Sequence, residues 1–410
     1  MTVVGHGDTL APTALAQAAM LLQRLGADAV YTDEDRIDVF DRHDRVLRKP
    51  FWSPDLPLSE HYPGGLCLVR RATIEPADAP AERQRELAAE HELVRRLRQH
   101  KARIVHLPIC LYHRRHLPRP AGVHAGGEPA AGGKLAAPPT ADGSIRISAI
   151  VTVAPEAERS QIGDQLAAIQ APCLHELIVT GEIDGRADRQ ARSSPAAIAN
   201  AAAARASGNF LMFIDGRASL APSTEPGWLD QLVALAARDR VGAVGGEVRD
   251  SDGRWLQGGL RPGLGALAGP WSDASSRPLL ADQICNPLAL GGTVLLIRRS
   301  VFESLEGFDA ERLPTLFAVD LSLRAARAAW RNVFCPALRV LVPGAEPAAD
   351  RELAQMIRAW TPELSLIAAY DRASTEPLEE PGPEAEVWPK PILAPGERPG
   401  RISRPLAPSL

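Results

Sequence analysis

Phe210-Leu211-Met212-Phe213-Ile214 is an unbroken apolar run that stops on Asp215-Gly216-Arg217. An apolar run of that length, bounded by turn residues, predicts a strand buried on both faces. Residues 147–153 (Ile-Ser-Ala-Ile-Val-Thr-Val) and 176–180 (Glu-Leu-Ile-Val-Thr) read as two further strands. Between them, residues 159–169 carry apolar positions at helical spacing, and residues 195–206 form an Ala-rich helix that ends near Gly208. Strand and helix therefore alternate, which is the usual nucleotide-binding half of an α/β domain. Nearer the start, a strand ends at Tyr31. Asp33-Glu34-Asp35 after it reads either as a solvated loop or as part of an acidic site.

Part of the pattern occurs twice. Residues 3–12 (Val-Val-Gly-His-Gly-Asp-Thr-Leu-Ala-Pro) align with residues 213–222 (Phe-Ile-Asp-Gly-Arg-Ala-Ser-Leu-Ala-Pro). Residues 64–71 (Gly-Gly-Leu-Cys-Leu-Val-Arg-Arg) align with residues 292–299 (Gly-Thr-Val-Leu-Leu-Ile-Arg-Arg). Glu92-Leu93, Arg96 and Pro108 match Asp320-Leu321, Arg324 and Pro336 at identical spacing. The separations are those of whole domains. The first copy lacks the strand-helix preamble of the second and reads as truncated at its N-terminus.

The expected organisation is a first, partial domain over residues 1–116 and a Pro/Gly/Ala-rich linker over 117–146. A second, near-complete domain over 147–345 follows. Residues 346–410 read as a short helix around 351–360 and a proline-dense, mostly disordered tail.

Composition adds exclusions. The chain has 410 residues, 45% hydrophobic and 23% charged, with a net charge of -4, so nothing favours nucleic acid as a partner. The five cysteines, Cys67, Cys110, Cys173, Cys285 and Cys335, lack CxxC spacing and read as buried thiols in a reducing compartment. No apolar stretch approaches the ~18 residues of a membrane span, and the start has no signal-peptide pattern. The expectation is a cytoplasmic protein, with peripheral association at the inner face of the cell membrane left open. There is no P-loop, GxSxG, HExxH or zinc cysteine pair, and the glycines at 242–246 and 258–259 lack dinucleotide-binding spacing.

Residues 29–35, 49–56 and 106–115, with the ordered segments of the second copy, resemble family 2 glycosyltransferases of the GT-A fold, in particular bacterial tandem-domain chains of surface polysaccharide synthesis. Residues 29–35 (Ala-Val-Tyr-Thr-Asp-Glu-Asp) are similar to the family's YSDED segment. Residues 49–56 (Lys-Pro-Phe-Trp-Ser-Pro-Asp-Leu) are similar to its KPdWSPDLL segment, and residues 106–115 to its HiPxvLYHwR ending. In the second copy, Gly242-Ala243-Val244-Gly245-Gly246, Asp252-Gly253-Arg254, Arg299 with Phe302, and Gly307-Phe308-Asp309 follow the family order. The likeness spans roughly residues 3–116 and 147–343.

The resemblance implies an α/β fold, a Rossmann-like mixed sheet flanked by helices, in one partial and one near-complete copy. It implies transfer of a sugar from a nucleoside diphosphate sugar to a glycan or lipid-linked acceptor. It also implies Mg²⁺ or Mn²⁺ on an acidic DxD pair and a carboxylate as general base, because the leaving diphosphate gains charge and the acceptor hydroxyl loses a proton.

This chain departs from the pattern at each of those points. The DxD position reads Asp215-Gly216-Arg217 in the second copy. Asp215 can ligate a metal that Arg217 would repel, and the guanidinium could instead bind diphosphate directly. The base-contacting acid falls at Gly181, with Glu182 and Asp184 nearby. The general-base segment reads Ala318-Val319-Asp320-Leu321. Asp320 is read either as the catalytic carboxylate or as an acid placed favourably at a helix start.

In the first copy the DxD position reads Gly5-His6-Gly7, followed by Asp8, a candidate metal ligand together with His113. The base segment there keeps Glu90 and Glu92. Asp33 and Asp35 are candidates for donor contact. Two functional readings follow: a sugar transferase weakened in its metal site, or a catalytically degenerate relative that binds a glycan or a protein partner.

Overall fold

The computed structural model describes residues 1–2, 4–38, 40, 42–47, 49, 52–55, 63–74, 96–97, 102–115, 145–153, 160–169, 171–180, 194–253, 255–257, 283–343, 355–356 and 359–360. The chain divides into two units, residues 1–130 with 381–410, and residues 131–380.

The first unit contains, in order, β1 (Thr9–Leu10), α1 (Ala14–Leu25), β2 (Ala29–Ile37), β3 (His43–Leu47), β4 (Cys67–Val69), α2 (Arg71–Ile74) and β5 (Ile104–Arg115). Its sheet runs β1-β5-β2-β3, and β4 also pairs with β2. Only β2 and β5 are parallel among these described pairs. Helix α1 buries Ala14, Gln17, Ala18, Leu21 and Leu22, spaced by three and four residues as an amphipathic helix requires. Gly26, at φ 60°, ends it by donating back to the Gln23 and Leu22 carbonyls. The buried stripe packs on Val30, Leu66, Val105, Leu107 and Leu111.

The second unit contains β6 (Ile147–Thr152), α3 (Gln161–Ala167), β7 (Leu174–Val179), α4 (Pro195–Arg205), β8 (Phe210–Asp215), β9 (Ser219–Leu220) and α5 (Trp228–Ala236). These are followed by β10 (Val241–Asp250), β11 (Trp255–Gln257), β12 (Val294–Arg298), α6 (Arg299–Ser304), α7 (Phe317–Arg327) and β13 (Arg331–Val342). The sheet order is β7-β6-β8-β12-β10-β13-β9, with β11 on β10. The mixture is real: β7, β6 and β8 are parallel, β12 is antiparallel to both neighbours, and β10 and β13 are parallel.

Alternate residues of β8 feed two cores. Phe210, Met212 and Ile214 pack with α3 and α5, whereas Leu211 and Phe213 pack with α4, α6 and α7. That is why the run is apolar throughout. The α/β mixed sheet flanked by helices implied by the resemblance is present.

The repeat is visible in the pairings. β1-β5-β2-β3 with β4 on β2 reappears as β9-β13-β10-β11 with β12 on β10, in the same parallel and antiparallel senses. Even the register persists. Met1 exchanges backbone hydrogen bonds with Val69 at 2.7 and 2.8 Å, and the aligned residues Leu211 and Ile297 are partners between β8 and β12.

One boundary expectation is overturned. The first strand does not stop at Tyr31 but continues as β2 to Ile37, so Asp33, Glu34 and Asp35 lie inside the sheet. Among the described residues no helix is long and apolar enough to cross a membrane. Four of the five cysteines are buried, and burial pushes the Cys335 thiol up to about 11.

Candidate functional site

In the second unit, Thr152 at the end of β6 is the register partner of Asp215 at the end of β8. Open α/β sheets take their ligands beyond the carboxyl ends of such parallel strands. The tip is closely fixed. The Asp215 N–H donates to the Thr293 carbonyl at 2.9 Å and the Gly216 N–H to the Thr152 carbonyl at 2.7 Å. A Cβ on Gly216 would stand 2.7 Å from that same carbonyl oxygen, so only glycine fits. Ser160 Oγ, the N-cap of α3, donates to the Gly216 carbonyl at 2.9 Å.

Arg217 turns back on this tip. Its N–H donates to Asp215 Oδ1 at 2.9 Å, its Nε lies 3.2 Å from each carboxylate oxygen, and its Nη2 lies 2.8 Å from Oδ2. The guanidinium remains 43% exposed and the carboxylate 23%. A Mg²⁺ or Mn²⁺ ion takes several hard oxygen ligands. The described side chains here offer one carboxylate, already turned to a cation, so as arranged they do not fit a divalent ion.

Asp320 sits in the first turn of α7 and is buried. Its Oδ2 accepts from Arg324 Nε at 2.7 Å and its Oδ1 from Trp360 Nε1 at 3.0 Å. Arg324 also donates to the Gly307 carbonyl at 2.7 Å and to the Leu305 carbonyl. Asp320 is therefore the hub of a network joining α7, the turn after α6 and residue 360. Ala318 is packed in the core beside Phe308 and Phe302.

In the first unit the three acids of β2 are almost wholly buried, and each has its own cationic or hydrogen-bonding partners. Asp33 Oδ1 accepts from the Lys49 backbone N–H at 2.9 Å and meets His106 Nε2 at 2.8 Å. The His106 ring stacks on Tyr31. Glu34 Oε2 accepts from Lys49 Nζ at 3.0 Å and from the Gly65 N–H at 2.9 Å, and Arg114 Nε lies 3.4 Å from Oε1. Asp35 lies between two imidazoles, with His113 Nδ1 2.8 Å from Oδ1 and His43 Nδ1 2.7 Å from Oδ2. Burial alone would raise the Asp35 carboxyl, but the two histidine contacts outweigh it and hold the group below its ordinary value.

Asp8 is drawn into the β1–β5 junction. It accepts the Tyr112 hydroxyl at 2.5 Å and the Arg115 N–H at 2.8 Å. Burial and the Asp8 carboxylate push the Tyr112 phenol well above its usual value. His6 is exposed on the turn before it.

Glu90, Glu92 and Asp184, together with Gly181 and Glu182, lie outside the described residues. Of the other expected residues, the structure brings Asp35 and His113 into contact and Asp215 and Arg217 into contact. Lys49, His43, His106 and Cys110 were not singled out from the sequence as site residues, although all four border the β2 acids. Lys49 is a buried cation in a Lys-Pro-Phe-Trp-Ser-Pro segment, and that was the available signal.

No family model matches the chain. The chain is similar to the O-antigen biosynthesis protein RfbC of Myxococcus xanthus, 29% identical over 389 residues that cover 83% of this chain and 30% of that protein. It is similar to the N-acetylglucosaminyl-diphospho-decaprenol L-rhamnosyltransferase of Mycobacterium tuberculosis (strain ATCC 25618 / H37Rv), 34% identical over 129 residues that cover 28% and 42% of the two chains. It thus spans less than half the length of either relative. Among solved structures, a mannosyltransferase from Pyrobaculum calidifontis in complex with GDP-Man and Mn²⁺ superposes with a TM-score of 0.37 at 18% identity, covering 58% of this chain and 72% of that one.

Proposed function

We propose that this chain is a family 2 glycosyltransferase, a reading supported by its sequence relatives, and that it moves a sugar from a nucleoside diphosphate sugar to a glycan or lipid-linked acceptor in bacterial surface polysaccharide synthesis. The observation that carries the reading is the placement of Asp215 and Arg217 at the carboxyl end of β8, beside the end of β6. In the transfer, the bond from the anomeric carbon to the diphosphate breaks, the diphosphate keeps the electron pair, and the acceptor oxygen bonds to that carbon. The charge gained by the diphosphate needs a cation. Arg217 supplies it by exchanging Asp215 for phosphate oxygens, a geometry that a planar guanidinium matches.

The described residues do not fit a divalent ion at this tip. The acceptor proton goes to Asp320, which must first release Arg324 or Trp360. A lipid-linked acceptor would bring the protein to the inner face of the membrane as a peripheral partner. The test is turnover of the full chain with UDP-, GDP- and dTDP-sugars. The D215N/D320N double variant, folded by circular dichroism, should lose transfer, and unchanged turnover would remove the assignment.

A second reading is favoured by the same Arg217–Asp215 pair and by Ala318 in the general-base segment: a domain that binds a glycan or a protein partner without transferring sugar. Absence of sugar-nucleotide binding to the full chain, with and without Mn²⁺, would support it. Metal-dependent binding would exclude it.

A further inference from the structure

We propose that the first unit holds a zinc-type metal ion between β2 and β5, on Asp35, Cys110 and His113 with His43 as the fourth ligand. A carboxylate oxygen of Asp35, the Cys110 sulfur and a ring nitrogen of His113 all lie within 4.8 Å of one another. His43 reaches the other Asp35 oxygen at 2.7 Å, and its ring meets the His113 ring edge-on at 4.8 Å between centroids.

Strand geometry explains how the sequence assembles this set. Side chains three apart on a strand face opposite ways, so Cys110 and His113 should be on opposite faces of β5. The register says otherwise. Asp33 pairs with Cys110, Glu34 with Tyr112 and Asp35 with His113, so Leu111 is an extra residue on β5. The bulge restores the phase and puts Cys110 and His113 on the face that carries Asp35.

The donor chemistry selects the ion. Thiolate, imidazole and carboxylate together suit Zn²⁺, and hard oxygen-seeking ions do not take sulfur. The Asp35 carboxylate and a Cys110 thiolate balance a dication, with the imidazoles neutral. At Zn–N and Zn–O near ~2.0 Å and Zn–S near ~2.3 Å, tetrahedral ligand atoms stand roughly 3.3–3.7 Å apart. Closing from 4.8 Å therefore needs shifts of about an ångström. Asp35 is fully buried and His113 is 15% exposed, whereas His43 is 49% exposed and leaves a path for entry.

The fold itself does not demand these donors. In the second unit the rung equivalent to Asp35–His113 is Arg249–Leu341, and the residue aligned with Cys110 is Leu338. All four ligands belong to the first unit, so the site is independent of the transfer chemistry placed on Asp215, Arg217 and Asp320.

The experiment is titration of the full, metal-stripped chain with Zn²⁺, and with Co²⁺ as a spectroscopic substitute. The expected result is one ion per chain with a thiolate-to-cobalt charge-transfer band. C110S should abolish that band while C67S keeps it. D35N, H113A and C110S should each weaken Zn²⁺ binding by at least the ~10–100-fold that even an outer-shell partner contributes. Circular dichroism checks each fold, and C110S, a one-atom change, decides the matter if D35N does not fold. Lack of binding, or binding and a band that persist in C110S, would overturn the site.

Discussion

Arg217 lies across the carboxylate of Asp215, with Nη2 2.8 Å from Oδ2 and Nε 3.2 Å from both oxygens. The two residues are two apart, and their side-chain pairing faces solvent. The pair can therefore open at modest cost, because exposed ion pairs contribute only ~0–1 kcal/mol.

If the guanidinium takes the diphosphate, R217A should weaken sugar-nucleotide binding by ~10–100-fold, the worth of a charge-assisted hydrogen bond of about 1.5–3 kcal/mol. R217K should keep part of the affinity, since lysine supplies the charge without the fork. Calorimetric titration of the full chain reads both. Equal affinities in wild type and R217A would assign the arginine to the turn alone.

The Asp320 network makes the opposite energetic prediction. Arg324 is the main partner of a buried carboxylate, and removing one side of a buried pair leaves the other uncompensated. R324A should destabilise the second unit by about 3–5 kcal/mol. The D320N/R324A double variant should be less impaired than the sum of the two single changes. Denaturant unfolding of the three variants measures the coupling.

Glu176 gives a pH dependence. It stands at the start of β7, where burial would raise its carboxyl. Donors from Ser148 Oγ, Ser207 Oγ and the Ser207 and Gly208 N–H groups outweigh burial and hold it down at about 2, against 4.5 when unperturbed. A depressed folded-state value means stability that is fully present above pH 4.5 and is lost as the pH falls towards about 2. E176Q should therefore melt below wild type at neutral pH, by an amount on the order of 1–2 kcal/mol. The difference should shrink across that acidic window. A constant difference at all pH values would show that these donors do not act through the Glu176 charge.

Gly208 tests close packing at the same end of the sheet. A Cβ there would stand 2.5 Å from the Arg146 carbonyl oxygen and 2.7 Å from the Ser148 nitrogen, both backbone atoms that cannot swing away. G208A should cost about 1–3 kcal/mol or more through forced backbone movement. G253A, with open space around the added methyl, is limited to the strain of its positive φ of 80° and should cost less. Thermal melts of the two variants rank them.

How much of this was legible in the sequence depends on the reach of each interaction. The strand over Phe210–Asp215 and the helix over Pro195–Arg205 follow from local periodicity, and both are present. The repeat was legible as aligned residues because the two copies retain the same strand pairings. Asp33, Glu34 and Asp35 were not legible as strand residues. Three successive acids look solvated, and the groups that allow their burial, Lys49, His106, His43 and His113, lie 8 to 78 positions away along the chain. The extra residue at Leu111, which decides the facing of Cys110, is a register event that no local pattern announces. Nor does the Asp215-Gly216-Arg217 string tell that the arginine side chain folds back instead of pointing outward.

The rung that reads Asp35–His113 in one unit reads Arg249–Leu341 in the other, under unchanged parallel pairing. Main-chain hydrogen bonds hold such a ladder together, and they are indifferent to what the side chains carry. The duplicated sheet thus behaves as a chassis whose fittings are interchangeable. One copy carries acids and imidazoles where the other carries an arginine and a leucine, and neither loses its shape. A molecule built this way can shed one chemistry and acquire another without having to invent a new fold for either.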